Sequence, residues 1–134
     1  MTRGLSTTNT ANAWLNVLRG NGAGVTFTAP ATQAAKLHTG DPGSAGANNA
    51  AVGDATRKTI GYGAAASGSM TLSTAAPVWT NGGTSETLTD ISVWDATSAG
   101  NFQYSAQLSA SQAWASGNTF TLTSLTFSLT PLAA

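Results

Sequence analysis

Asp90-Ile-Ser-Val-Trp-Asp-Ala-Thr-Ser-Ala-Gly-Asn-Phe-Gln-Tyr-Ser-Ala-Gln-Leu108 is the stretch that decides the class of fold. Ile91 and Val93 alternate with polar neighbours, and Phe102, Tyr104, Ala106 and Leu108 alternate after them. A half-buried strand requires this period of two, because successive side chains point to opposite faces of a sheet. On that pattern the four later residues share one face. Between the two runs, Ala96-Thr-Ser-Ala-Gly-Asn101 contains no large apolar side chain and reads as a hairpin loop.

Downstream, Ser116-Gly-Asn118 marks another turn, followed by a Thr-rich run from Thr119 to Thr130. Phe120 and Leu122 share one parity there, while Leu125, Phe127 and Leu129 share the other. A strand cannot change parity and keep its face, so the run bulges or breaks near Thr123-Ser124 and can serve two sheets.

Upstream, strand character is expected around Arg57–Tyr62, Met70–Leu72 and Val78–Thr80, and from Val25 and Phe27 to Leu37. Asp41-Pro-Gly43 offers Pro at the second and Gly at the third position of a type II turn. The small polar residues after it lead us to expect an exposed loop or arm over 44–56. Near the N-terminus the period changes: Ala11, Trp14, Leu15 and Leu18 recur at i, i+3, i+4 and i+7, the stripe of an amphipathic helix over 6–19. Thr7, Thr8, Asn9 and Thr10 can cap it, and Gly20 stands where a helix ends. One short helix before seven or eight strands predicts a mainly β, antiparallel sandwich or jelly roll, with residues 25–130 in the β part and residues 1–134 in a single domain.

Charged residues are 7% of the chain, five basic against five acidic, where about 25% is usual. A neutral chain has no field to gather phosphates or anionic lipids, so neither a nucleic-acid nor a membrane partner is expected. No apolar run approaches the roughly 18 residues that span a bilayer, and the chain holds no cysteine. Low charge gives little self-repulsion and favours association. Strand edges without Lys or Glu are safest when a partner covers them.

The residues that carry chemistry are few. His38 and Asp41 admit a base-and-orienter reading, but a strand end followed by a turn accounts for both. Glu86, Asp90 and Asp95 are close in sequence. However, the strand between Asp90 and Asp95 separates their carboxylates by more than roughly 10 Å, and no calcium-loop pattern accompanies them. No enzymatic activity, cofactor or metal is therefore expected. Exposed aromatics can stack on sugars, which keeps carbohydrate binding open for Trp14, Trp79, Trp94, Trp114, Tyr62 and Tyr104. Packing or subunit contact is the simpler use of such side chains, and Trp14, Leu15, Leu18, Trp94 and Trp114 are the candidates for an interface.

Leu37-His-Thr-Gly-Asp-Pro-Gly43, Ile91-Ser-Val-Trp-Asp95 and the Ser116-Gly-Asn-Thr-Phe-Thr-Leu122 ending resemble a family of small phage and prophage virion proteins, common in phages of actinobacteria and usually labelled tail fibre or minor tail protein. The likeness covers most of the chain and departs around Asp54–Ile60, where members often carry an aromatic before the Arg. It implies a structural protein of the virion, made in the host cytoplasm. A compact domain without an internal repeat suits capsid decoration on the major capsid protein better than a long shaft. The expectation is thus a decoration protein forming a homo-oligomer such as a trimer, with a tail fibre or minor tail protein as the alternative and a carbohydrate-binding module as the third reading.

Overall fold

The computed structural model describes residues 3–19, 28–73 and 76–129. In chain order the elements are β1 Gly4–Leu5, a π-helical turn Thr7–Ala11, α1 Asn12–Leu18, β2 Gln33–His38, β3 Lys58–Ile60, β4 Ser69–Thr71, β5 Val78–Thr80, β6 Glu86–Trp94, β7 Phe102–Trp114, β8 Thr119–Thr121 and β9 Thr126–Ser128. A five-stranded antiparallel sheet runs in the order β1-β7-β6-β2-β3, and two two-stranded ribbons, β4–β9 and β5–β8, accompany it. The chain is therefore mainly β and antiparallel in one small domain, with one short helix near its N-terminus.

The core lies between the sheet and the ribbons. Ala35, Leu37, Ile60, Leu88, Ile91, Val93, Tyr104 and Trp114 come from the sheet, Trp79 from β5, and Leu122 from just past β8; Phe120, Leu125 and Phe127 pack against them. Trp79 is fully buried beside Phe120, and its indole N–H donates to the Thr56 carbonyl at 3.0 Å, so its polar atom is satisfied. The parity change near Thr123-Ser124 is a break: Thr119–Thr121 pairs with β5 and Thr126–Ser128 with β4. One stretch of chain thus serves both ribbons, with Phe120 and Leu122 of one half and Leu125 and Phe127 of the other packed inward.

Phe102 departs from the alternation. Val93 pairs with Tyr104 but Trp94 pairs with Phe102, so β7 carries one residue, Gln103, more than β6 at this point. An extra residue flips every side chain beyond it. Tyr104 therefore enters the core, while Phe102 packs on Trp94 at 5.6 Å, on the other face. Gly46 sits against that Phe102 ring; a Cβ there would come within 2.2 Å of it, and its φ of 68° is a left-handed value suited to glycine.

Segment 44–56 is a loop laid along the domain. Ser44, Ala45 and Ala47–Asn49 are exposed, whereas Gly46 and Ala51 are buried. Val52 N–H donates to Glu86 at 2.9 Å and Gly53 N–H at 3.2 Å, which tethers the loop to β6. At the N-terminus the cap is Ser6, one residue ahead of the expected Thr run, its hydroxyl accepting from Asn9 N–H at 3.3 Å. The expected helix end at Gly20 and strand residues Val25 and Phe27 lie outside the described residues.

Replacing Trp79 by Ala is expected to cost about 3–5 kcal/mol, because it empties the centre of the core. Replacing Val52, 77% exposed, by Ala should stay within about 0.5 kcal/mol. Urea denaturation of the two variants measures the contrast.

Candidate functional site

Three of the five interface candidates stand together on α1. Leu15 is 63% and Leu18 82% exposed, Val17 beside them is 46% exposed, and Trp14 is half-buried with its ring edge-on to Phe127 at 5.8 Å. A helix of seven residues is too short to form by itself, so tertiary contacts must hold it. Thr10 hydroxyl donates to the Gln103 carbonyl at 2.8 Å, Asn9 amide to the Phe102 carbonyl at 2.9 Å, and Ser6 N–H to Gln103 at 2.7 Å. These bonds and the Trp14–Phe127 contact fix the helix across the β7 side of the domain and point its leucines outward. Leu129, two residues past Phe127, is also exposed, at 55%. Full burial of such a side chain is worth roughly 1.5–3 kcal/mol, and each of these forgoes the part that its exposed fraction represents.

The other two candidates are elsewhere. Trp114 is only 2% exposed and belongs to the core, where it offers no surface to a partner. Its position close to the Ser116–Asn118 turn gave no sign of this, because burial comes from distant parts of the chain: Gly53 lies against the ring and the Asn81 amide donates to the Trp114 carbonyl at 2.7 Å. Trp94 is half-buried and engaged on several sides: the Arg57 guanidinium lies 3.6 Å over the ring, Phe102 packs against it, and its N–H donates to Ser92 hydroxyl at 2.8 Å. Arg57 also donates to the carbonyls of Ala96 and Ala99, so the pair clamps the hairpin loop. Val17 and Leu129 were missed as surface residues; their exposure follows from how α1 and β9 are placed.

His38 and Asp41 do not act on each other. Asp41 accepts from Gly43 N–H at 2.9 Å and shapes the turn. His38 is fully buried between the Asn48 carbonyl, 2.7 Å from Nδ1, and Ser92 hydroxyl, 2.7 Å from Nε2. A carbonyl only accepts, so Nδ1 carries the proton and Nε2 accepts from Ser92. A proton-ordered chain results, running from Trp94 N–H through Ser92 to His38 and Asn48. It has the groups of a nucleophile and base, but Ser92 and His38 both have 0% exposure. Burial, aided by Lys36, lowers the His38 pKa despite the opposing pull of the Asn48 carbonyl and Asp90.

The acids that neighbour each other in sequence have separate tasks. Glu86 holds the 52–53 backbone. Asp95 accepts from Asn101 N–H at 2.6 Å and closes the hairpin, helped by Ala99 and Gly100 at positive φ. Asp90, fully buried, is gripped by Arg3 through Nε and through Nη2 at 3.1 Å, and accepts from Thr89 hydroxyl at 2.7 Å. Burial pushes the Asp90 carboxyl up, but Arg3 and Thr89 outweigh it and hold the carboxyl below its usual range. Among the described residues, no three His, Asp or Glu side chains gather as metal ligands, and no helix is long and apolar enough to cross a membrane.

Acid should destabilise this domain in two stages. His38 binds its proton less readily folded than unfolded, so its contribution is complete above about pH 6.5 and declines as pH falls below that value. Asp90 adds a further loss below about pH 4. Thermal melts between pH 8 and pH 3 check this; His38→Gln, which keeps an acceptor toward Ser92, should flatten the first stage and leave the second. On the surface, Leu15→Ser with Leu18→Ser should change stability by no more than about 1 kcal/mol in total.

No curated protein matches the chain. The family model described as Podophage GP4 fiber I protein gp80 matches residues 4–130, a span that runs from β1 through the α1 surface to the end of β9. With nearly its whole length matched, the chain belongs to this family of phage fibre proteins and is a virion component.

Proposed function

We propose that the chain is a non-enzymatic structural subunit of a phage fibre of the tail-fibre type, serving as a compact module that joins other virion proteins through the apolar surface of α1. The observation that carries this reading is the exposure of Leu15, Val17 and Leu18 on a helix that the fold holds in place but does not bury. A chain that can bury its aliphatic side chains and leaves three on one short helix gains by covering them in an assembly. The fibre family favours a fibre over the head-shell decoration that compactness alone suggested. A non-catalytic role is supported by the burial of His38 and Ser92 and by the backbone-directed use of Glu86 and Asp95.

Gold-labelled antibody to the chain should mark fibres on intact particles, and gel densitometry of purified virions should give few copies per particle. Label spread over the head shell at high copy number would overturn the fibre reading. Particles carrying Leu15→Ser with Leu18→Ser should lose the protein on purification, although the isolated variant stays folded by circular dichroism.

A further inference from the structure

Asn81 stands just past β5 with Gly82 and Gly83 after it. Despite that setting it is only 1% exposed, and every polar atom it carries is engaged. Its N–H donates to the Asn118 carbonyl at 2.9 Å, and its carbonyl accepts from Gly117 N–H at 2.7 Å. Its side-chain amide donates to the carbonyls of Trp114 at 2.7 Å and Thr84 at 2.9 Å, while Oδ1 accepts from Gly83 N–H at 2.9 Å. One side chain thus ties together the end of β7, the approach to β6 and the turn after β5. Gly53, from the tethered loop, closes the site. Its carbonyl accepts from Gly82 N–H at 2.9 Å, and a Cβ on it would come within 2.2 Å of Asn81 Oδ1.

The same dipeptide is chemically vulnerable wherever this arrangement is absent. Asparagine is thermolabile, and a glycine after it offers a backbone nitrogen that no Cβ shields. The Gly82 nitrogen attacks Asn81 Cγ, the Cγ–Nδ2 bond breaks, and Nδ2 departs as ammonia with the proton that the Gly82 nitrogen gave up through solvent. Water then opens the cyclic imide at either carbonyl, leaving aspartate or isoaspartate, the second with a lengthened backbone. Water is the only co-reactant. In the fold each step is opposed: the Gly53 carbonyl holds the Gly82 proton, and three hydrogen bonds to separate groups keep Cγ from turning.

We propose that Asn81-Gly82 is a deamidation site that the native fold silences, and that its modification bars the chain from folding. A carboxylate has no donors. At position 81 it would leave the Trp114 and Thr84 carbonyls without partners and bury a charge between them. Isoaspartate would in addition displace the backbone bonds to Gly53, Gly117 and Asn118. The reaction therefore reaches chains that have not folded or have opened, and it removes them from the pool that can fold. The inference stands apart from the fibre reading, because it concerns whether a chain can fold and holds for any assembly the folded chain joins.

The test incubates the unaltered chain in mildly alkaline buffer, native and in urea, and maps peptides released by chymotrypsin, which cuts after Trp79. Position 81 should become aspartate and isoaspartate at least about a hundredfold more slowly in the native chain, because reaction requires an opening of the buried site. Asn21-Gly22, the other Asn-Gly pair in the chain, is the internal standard in urea. After dilution from urea, the refolded fraction should retain Asn81 and the misfolded fraction should carry the modification, whereas modified Asn21 should be spread evenly between them. Gly82→Ala should keep the fold, since its Cβ would meet only the Gly53 carbonyl, at 3.6 Å, and should preserve refolding through the same incubation. Asn81→Asp should fail to fold under conditions where the unaltered chain folds. Equal rates at position 81 in native and unfolded chains, modified position 81 in the refolded fraction, or a stably folded Asn81→Asp chain would each overturn the proposal.

Discussion

The β6–β7 ladder is the constraint on which the rest of the structure depends. Its two register shifts, one at Gln103 and one between Gln107 and Gln112, decide which side chains of the two longest strands face the ribbons and which face away. Because the side-chain period is two, each shift reassigns a whole run of residues at once. Ile91, Val93 and Tyr104 are sent into the apolar layer, and Asp90, Ser92, Trp94 and Phe102 to the opposite face. A single shift removed would put polar groups into the core and rings into water.

That opposite face is buried too, and it is polar, so it must satisfy its hydrogen bonds internally. Two segments with little regular structure do this. The N-terminal segment supplies Arg3, just ahead of β1, to Asp90 and Thr10, from the turn after it, to Gln103, and the 40–49 loop supplies the Asn48 carbonyl to His38. The same bonds hold α1 in place, so its exposed leucines are a consequence of how the polar face is covered. Structure and surface are coupled here: loosening Gln103 would release the helix and the hydrophobic patch with it.

Low charge has a matching logic at the level of assembly. The few charges present are spent largely on the fold itself: Asp90 with Arg3, Asp54 with Lys58, Glu86 and Asp95 on backbone N–H groups, and Arg57 on Trp94 and the hairpin carbonyls. What remains outside on α1 is neutral and suited to contact. A phage fibre protein works within an assembly, and such a surface is compatible with lasting association in a way that a heavily charged one is not.

From its residues alone this chain determined its β class, the hairpin around Gly100, the presence of one short helix near the N-terminus and the break after Thr123, since all of these follow from local periodicity and turn chemistry; the α-helix itself is shorter than the 6–19 stripe, Asn12–Leu18 behind a π-helical turn at Thr7–Ala11. The parity change at 123–124 even foretold one stretch of chain serving two ribbons. The placement of the tryptophans was decided only by tertiary structure: Trp114 went inside, Trp94 under Arg57, and Trp14 to the rim of the core beside Phe127. Phe102 likewise left the face its spacing assigned. The physical reason is that alternation states which side chains share a face within one run, whereas a bulge breaks the run. Which face then meets the second layer depends on pairings between residues tens of positions apart, and no local pattern records them.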